Sequence, residues 1–171
     1  MKIVKINKKR KLIIGILLIV VLFLGIYFYI DSSIVKISPS FEKELKTLII
    51  QENQNTSHPV DFIAESHKIF CIKETKDETI VYGRFCIMKY EKLKLLENYN
   101  DLMVIYLNKD KNEIIDIWTP KDGTEYTSSI LKQFPLVTWS RALTRTNRYD
   151  ESLIEDCHEQ LLEYNSMSNE N

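Results

Sequence analysis

The longest apolar segment of the chain is an uncharged run of 19 residues, from Leu12 to Ile30. As an α-helix this run would extend over about 28 Å, close to the thickness of the hydrocarbon core of a bilayer. Residues 1–11, which precede it, carry six basic side chains and no acidic one, and such a flank stays in the cytoplasm under the positive-inside rule. The pattern predicts a single transmembrane helix that holds the residues after it outside the cytoplasm.

A cleaved signal peptide is the alternative interpretation of the same run. The apolar core of a signal peptide is only about 7 to 15 residues long and is followed by small residues at the cleavage site. Residues 27–33 contain no such small-residue pattern, and the first cysteine, Cys71, lies too far along the chain to carry a lipid here. The sequence therefore favours an uncleaved membrane anchor.

After a polar connector at residues 31–40, apolar and polar positions recur with helical spacing. Pro39 and Ser40 are suited to the start of a helix. Apolar side chains then occupy one face of that helix, and charged side chains occupy the other. The apolar positions are Phe41, Leu45, Leu48 and Ile49. The polar residues 51–57 predict a loop after this helix.

Four runs rich in β-branched and aromatic residues follow and predict strands. They are Val60–Lys73, Thr79–Tyr90, Leu102–Leu107 and Glu113–Thr119. The polar residues 108–112 form a strong turn signal between the last two runs, whereas residues 91–100 predict a polar connection with one helical turn at most. Because consecutive runs are joined by short polar segments, they predict an antiparallel sheet.

The remaining apolar pattern predicts three helices. Asp122 is placed to cap the first of them, with Glu125 completing a capping box, and Pro135 ends it. The second helix is expected from Leu136 to Thr146, and the third from Asp150 to Tyr164. The inward positions of the third helix are Leu153, Cys157, Leu161 and Tyr164.

This element order predicts an α+β fold: one N-terminal transmembrane helix, then a helix, a four-stranded antiparallel sheet and C-terminal helices, with the helices before and after the sheet packed on one face of it. A cystatin-like or nuclear-transport-factor-like arrangement, in which a helix precedes a curved sheet, is one candidate by analogy. The predicted divisions are a basic cytoplasmic tail at 1–11, the transmembrane helix at 12–30, a connector at 31–40, an extracytoplasmic domain at 41–164 and a flexible tail at 165–171.

Net charge differs between the two sides of the predicted membrane helix. The whole chain carries −1 at pH 7 and the N-terminal flank contributes +6, so residues 31–171 carry −7. A domain this acidic is not suited to nucleic acid, whose phosphates select basic surfaces. We therefore predict no nucleic-acid partner, and the charge also argues against broad adhesion to anionic lipid or wall polymer.

The three cysteines, Cys71, Cys86 and Cys157, are too few for a disulfide framework. Cys71 and Cys86 fall on two strands that are expected to pair, and a location outside the cytoplasm permits a disulfide. A hairpin centred near Lys76–Asp77 places Cys71 opposite Tyr82, however, and that register separates the two sulfur atoms too far for a bond. Buried free thiols and a Cys71–Cys86 disulfide both stay open.

Candidate catalytic or metal-ligating side chains are sparse. Four polar residues lie close together at the first strand, namely His58, Asp61, Glu65 and His67. Their spacing matches no zinc pattern, so they are better interpreted as surface residues. Cys157 and His158 are adjacent on a helix and point about 100° apart, so they do not form a catalytic pair. With no G-x-S-x-G motif in the chain, we predict no catalytic residue, cofactor or metal ion.

A basic helix face is predicted near the C-terminus. Arg141, Arg145 and Arg148 recur with helical spacing and would share one face of a helix. Such a face inside an acidic domain is a candidate site for an anionic partner, such as an acidic protein segment, a lipid headgroup or a wall polymer. The alternative is that these arginines pair with acidic residues of the last helix. Those residues are Glu151, Glu155 and Asp156.

Residues 118–135 contain the pattern W-x-P-x-D-G-x-x-Y-x-x-x-I-x-x-x-F-P. Its residues are Trp118, Pro120, Asp122, Gly123, Tyr126, Ile130, Phe134 and Pro135. This 18-residue motif resembles a signature of uncharacterised, membrane- or lipid-anchored cell-envelope proteins of Gram-positive bacteria. The resemblance implies an extracytoplasmic domain of the same fold and implies no activity. This chain differs from the lipid-anchored members in having an apolar helix where they have a lipidated cysteine.

A purely structural role also explains the motif. In that interpretation the tryptophan ends a strand, the Asp-Gly pair turns the chain, and a helix stripe formed by Tyr126, Ile130 and Phe134 packs back on the sheet. A ligand site at the Asp-Gly turn is the alternative.

The sequence as a whole predicts a single-pass membrane protein whose extracytoplasmic domain binds a protein or an envelope polymer and has no enzymatic activity. The predicted membrane contact is the run Leu12–Ile30. An envelope enzyme or enzyme accessory, with a site built from residues scattered in sequence, is an alternative. An immunity-type protective protein is another.

Overall fold

The computed structural model describes residues 8–32, 37–54, 60–144 and 147–168. The chain divides into two units, Met1–Val35 and Lys36–Asn171. The first unit contains helix α1, Lys8–Ser32, and the large apolar side chains described between Ile13 and Phe23 are each 49% to 66% exposed. Within the described residues, no helix combines the length and the hydropathy that crossing a membrane requires.

The second unit is an α+β domain built on a four-stranded antiparallel sheet, which confirms the predicted class. The strands are β1 (Phe62–Glu74), β2 (Glu78–Glu91), β3 (Lys94–Asn108) and β4 (Ile114–Trp118), in the order β1-β2-β3-β4. Helix α2 (Pro39–Gln54) precedes the sheet, and α3 (Tyr126–Gln133), α4 (Trp139–Leu143) and α5 (Asn147–Ser168) follow it. The predicted strands at the positions of β1, β2 and β4 agree with the structure to within two residues at each end.

Strand β2 lies inside the sheet and is buried on both faces. Every residue from Thr79 to Met88 is buried. On one face Phe85 belongs to a core with Leu45 of α2, and on the opposite face Cys86 belongs to a core with Leu153 of α5. The prediction that the helices pack on one face only is therefore wrong. The sequence of β2 did indicate burial on both faces, because a strand covered on both faces has a continuous run of apolar residues instead of an alternating pattern.

Strands β1 and β2 form a long antiparallel hairpin. Cys71 lies opposite Tyr82, which confirms the register that follows from a turn at Lys76–Asp77. Cys86 lies opposite Ser66 instead. The register shifts by one residue between Ile69 and Cys71.

Gly83 allows β2 to approach β1 closely at this bulge. It lies opposite Ile69, and a Cβ atom added to it would lie 2.7 Å from the backbone oxygen of Lys68. Real Cβ contacts are longer than this, so the position accepts only a residue without a side chain.

Residues 91–100, predicted as a polar connection, contain a tight turn and the first half of β3. Lys92 and Leu93 have φ values of 49° and 63°, the pattern of a two-residue type I′ hairpin turn. The Asp61 carboxylate accepts a hydrogen bond from the Lys92 backbone N–H at 2.6 Å and so holds the turn. The prediction is wrong because this turn lacks the Asn-Gly or Asp-Gly pair that marks type I′ turns in sequence.

The C-terminal helices follow the predicted order but differ at their ends. Helix α3 ends before Pro135 as predicted and is preceded by a 3₁₀ turn, Gly123–Glu125. The predicted capping box is wrong, because Asp122 makes no side-chain capping bond. Glu125 instead pairs with Lys121, whose Nζ lies 2.7 Å from the carboxylate.

The two remaining helices also depart from their predicted bounds. Instead of one helix at 136–146, the structure has a 3₁₀ turn at Leu136–Thr138 followed by the short α4. Helix α5 continues to Ser168, so the predicted flexible tail is helical as far as that residue. Its predicted inner face is confirmed, since Leu153 and Cys157 are buried and Leu161 packs against the same core.

Candidate functional site

A solvent-open cleft lies at the outer edge of β1, where α2 from one face of the sheet and α5 from the other converge. Strand β1 forms an edge of the sheet, and the cleft beside it has a volume of about 390 Å³. Every residue that lines it has a polar side chain: Glu42, Lys43 and Lys46 of α2, Glu65, Ser66 and His67 of β1, and Asp156 and Gln160 of α5.

Glu65 and His67 form a carboxylate–imidazole pair on the wall of this cleft. Glu65 Oε1 lies 2.8 Å from His67 Nδ1. The Glu65 side chain is fully buried, and the His67 side chain is 9% exposed. Because the two residues are separated by one position in a strand, both point to the face that α2 covers. There the His67 ring lies 5.6 Å from the ring of Phe85, measured between centroids.

The second carboxylate oxygen of this pair, Glu65 Oε2, is buried and has no hydrogen-bond partner among the described residues. A buried polar atom left without a partner costs about 1 to 3 kcal/mol, and more when it is charged. Polar atoms buried for structural reasons are nearly always paired. Glu65 therefore places an unpaired, buried hydrogen-bond acceptor at a residue that lines the cleft.

Gln160 of α5 closes the backbone edge of β1 beside this acceptor. Its amide nitrogen donates to the Glu65 carbonyl at 2.9 Å, and its amide oxygen accepts from the Glu65 N–H at 3.2 Å. Lys46 of α2 donates to the same amide oxygen at 2.8 Å. Gln160, itself held by Lys46, thus fixes the backbone at Glu65, and the bond to His67 Nδ1 holds the carboxylate.

Ser66 does not share the environment of the Glu65–His67 pair. Adjacent strand residues point to opposite faces, and the Ser66 hydroxyl donates to Asp156 Oδ2 of α5 at 2.9 Å. It is therefore not placed to act as a nucleophile that His67 would activate. In the described part of the chain, no group of three or more His, Cys, Asp or Glu side chains is placed to hold a metal ion.

The geometry supports two kinds of chemistry. A carboxylate oxygen that has no partner, at the wall of a partly desolvated cleft, can accept hydrogen bonds from ammonium, amide or hydroxyl groups. Desolvation strengthens each such bond. A carboxylate bonded to Nδ1 also orients an imidazole so that Nε2 is available as a general base.

Sequence reasoning missed this site. It placed Glu65 and His67 on the surface, whereas Glu65 is fully buried, so that interpretation is wrong. The available signal was the alternation of side chains along the strand. Glu65 is at an odd-numbered position, as are Ile63 and Ile69, which face the core. His58 lies outside the described residues, and Asp61 is exposed and engaged in the β2–β3 turn.

The predicted arginine face is not one helix face in the structure. Arg141 lies in α4, which ends at Leu143, and its guanidinium donates to the Phe70 carbonyl at 3.2 Å. Arg145 lies outside the described residues, and Arg148 belongs to the first turn of the separate helix α5. Helix α4 ends at Leu143 because Thr144 has an extended backbone, with φ of −75° and ψ of 103°. Anion binding by these residues stays a prediction.

A different arginine pairs with the acidic start of α5. Arg84 of β2 is 8% exposed, and its Nη1 lies 2.7 Å from Asp150 Oδ1. Because an unpaired buried guanidinium is costly, this ion pair fixes the first turn of α5 on the sheet.

The residues of the sequence motif pack α3 against the sheet. Trp118 ends β4 as predicted, and its ring meets that of Phe134 edge-on at 6.1 Å. Ile130 and Phe134 are buried, and the Tyr126 hydroxyl donates to Asp101 at 2.5 Å. Gly123 has a φ of 66° and forms the turn. The structure shows the packing of Trp118, Ile130 and Phe134, whereas Asp122 makes no capping bond, and a ligand at this turn stays a prediction.

The three cysteines are buried and free in the structure. Burial raises the pKa of Cys71 to about 11, although the positive charges of Arg141 and Lys73 oppose the shift. The interaction between the Cys86 and Cys157 side chains raises the pKa of the Cys157 thiol, burial adds to that shift, and the same interaction lowers the pKa of Cys86.

Comparison of the chain with protein-family models, with curated proteins and with solved structures gives no match.

Proposed function

We propose that this protein is a single-pass, membrane-tethered domain on the extracytoplasmic side that binds a partner without transforming it. The tether is supported by the sequence, since 19 uncharged residues follow a flank of six basic residues. The display of residues 31–171 outside the cytoplasm follows from that orientation. The −7 charge of the displayed part agrees with a protein or envelope partner rather than nucleic acid.

The observation that carries the binding function is that Glu65 Oε2 is a hydrogen-bond acceptor without a partner. This atom is buried without a partner, and its residue lines a cleft that is open to solvent, so a ligand in the cleft reaches the atom by displacing the atoms that cover it. Gln160 holds the Glu65 backbone through two hydrogen bonds, and Lys46 holds the Gln160 amide through a third. A carboxylate kept in this state costs stability, and a ligand that supplies a donor recovers that cost on binding.

The cleft also defines the chemistry of the group it binds. Acidic Glu42, Glu65 and Asp156 are balanced in part by Lys43 and Lys46 among its lining residues. The group that enters is therefore a hydrogen-bond donor such as an ammonium, amide or hydroxyl, presented by a protein or by an envelope polymer. A strongly anionic group would meet the buried carboxylate and be excluded.

A second function, general acid–base catalysis, is favoured by the Glu65 Oε1 to His67 Nδ1 bond of 2.8 Å. A base at this site needs His67 Nε2, whereas binding needs only Glu65 Oε2. The variant His67→Asn separates the two functions, because its amide can still donate to Glu65 but has no second nitrogen in the place of Nε2. If the site only binds its ligand, the His67→Asn variant should capture as much ligand as the wild-type protein. If the site is catalytic, the variant should no longer form product.

Photo-crosslinking in intact cells tests the proposed function. A photo-reactive amino acid replaces Lys43, which is exposed and lines the cleft, in the full-length protein. We expect a covalent adduct of defined mass. The matched control carries the same amino acid at Thr127, an exposed position on α3 outside the cleft, and should give none.

The cleft is then altered within the Lys43 probe protein by the double change Glu65→Leu and His67→Phe. We expect the adduct to fall at least tenfold, because the acceptor is removed, a loss of about 1.4 kcal/mol or more in binding. An adduct of unchanged yield in the double variant, or the same adduct from Thr127, contradicts binding in the cleft.

A further inference from the structure

Two cysteines that are distant in sequence meet in the core between the sheet and α5. Cys86 lies in β2 and Cys157 in α5, and both are fully buried. The Cys157 thiol donates a hydrogen bond to the Cys86 carbonyl oxygen, with the sulfur 3.6 Å from that oxygen. Their neighbours in this core are the apolar side chains of Ala64, Met88 and Leu153.

Cys71 has no comparable partner among the cysteines. It lies opposite Tyr82, four positions along β2 from Cys86. At about 3.3 Å per strand residue, those positions are roughly 13 Å apart, whereas disulfide-bonded cysteines have Cα atoms within about 7 Å. A Cys71–Cys86 disulfide is therefore incompatible with the observed register.

We propose that Cys86 and Cys157 form a disulfide in the mature protein and that Cys71 is left as a single buried thiol. Each of the two thiols gives up its proton and one electron as the S–S bond forms. The two electrons pass to the disulfide of a thiol–disulfide oxidoreductase, which becomes a dithiol. This step rests on the proposed extracytoplasmic location, where such oxidants are found.

Burial determines when the bond forms. Because both sulfur atoms are inaccessible in the folded domain, the exchange takes place before α5 packs on the sheet. The bond would also fix the cleft, since Asp156 and Gln160 flank Cys157 on α5 and contact β1 directly.

Differential alkylation of the full-length protein tests the proposal. Protein taken from cells is denatured without reductant and alkylated, then reduced and alkylated with an isotopically heavy reagent, and the peptides are weighed. We expect the first reagent on Cys71 alone and the heavy reagent on Cys86 and Cys157. The variant Cys157→Ser should carry the first reagent on both Cys71 and Cys86.

A second measurement makes the result independent of the location in the cell. The same protein in detergent is unfolded, reduced and refolded in a buffer of oxidised and reduced glutathione. Linked Cys86 and Cys157 peptides support the pairing, and three free thiols or a Cys71 linkage overturn it. If the bond forms in this buffer but not in cells, the proposed location is contradicted and the pairing stands.

Discussion

The variant Gly83→Ala is expected to lose about 3 kcal/mol of unfolding free energy, enough to abolish folding of a domain of marginal stability. The added Cβ would lie 2.7 Å from the Lys68 backbone oxygen and 3.0 Å from Phe85 Cε2. A backbone oxygen in a strand cannot move aside without breaking the pairing of β1 and β2. Urea unfolding of the full-length protein in detergent, followed by tryptophan fluorescence, measures the loss.

Gly123→Ala is the matched control for this prediction. Gly123 has a positive φ of 66°, but a Cβ there would have nothing within 4 Å. The change should cost about 1 kcal/mol through backbone strain alone. Equal losses in the two variants would contradict a steric requirement at the β1–β2 bulge.

The double variant Glu65→Leu/His67→Phe is expected to be as stable as the wild-type protein or to gain about 1 to 4 kcal/mol. The double change removes both members of the polar pair, including the unpaired oxygen Glu65 Oε2. It also puts an apolar ring in the place of His67, whose ring centroid lies 5.6 Å from that of Phe85 in the wild-type protein. The single change Glu65→Leu should instead cost about 1 to 3 kcal/mol, because it leaves His67 Nδ1 buried without a partner. Urea unfolding compares the three proteins.

This result would separate a functional carboxylate from a structural one. If Glu65 is retained for binding, its removal with His67 abolishes capture at the cleft while stability is kept. A large loss of stability in the double variant, with His67→Phe alone well tolerated, would mean that Glu65 itself supports the fold. That outcome would contradict the role proposed for the cleft.

Much of the fold follows from local patterns. The helical spacing of Phe41, Leu45 and Ile49 and the position of Pro39 predicted α2, which begins at that proline. The turn residues at Lys76–Asp77 predicted the β1–β2 register from Cys71 to Glu74, and the bulge between Ile69 and Cys71 shifts the pairing by one residue beyond that point. Both features are set by short-range physics, namely side-chain periodicity and turn chemistry, and these are expressed directly in sequence.

The parts that were missed depend on contacts between distant segments. The pairing of Glu65 with Gln160, and of Cys86 with Cys157, joins β1 and β2 to a helix near the end of the chain. No local pattern encodes such contacts. Glu65 was taken for a surface residue because carboxylates are rarely buried, and rare cases of this kind concentrate at functional sites.

Protease treatment of intact cells tests the tethered, extracytoplasmic assignment most directly. The full-length protein carries one epitope tag at the C-terminus and a second at the N-terminus, and a membrane-impermeant protease is added from outside. If the C-terminal domain lies outside the cytoplasm, we expect the protease to remove the C-terminal tag and the N-terminal tag to be retained in the membrane fraction. A C-terminal tag that stays protected until the cells are lysed, or an N-terminal tag that is found in the soluble fraction, would contradict it.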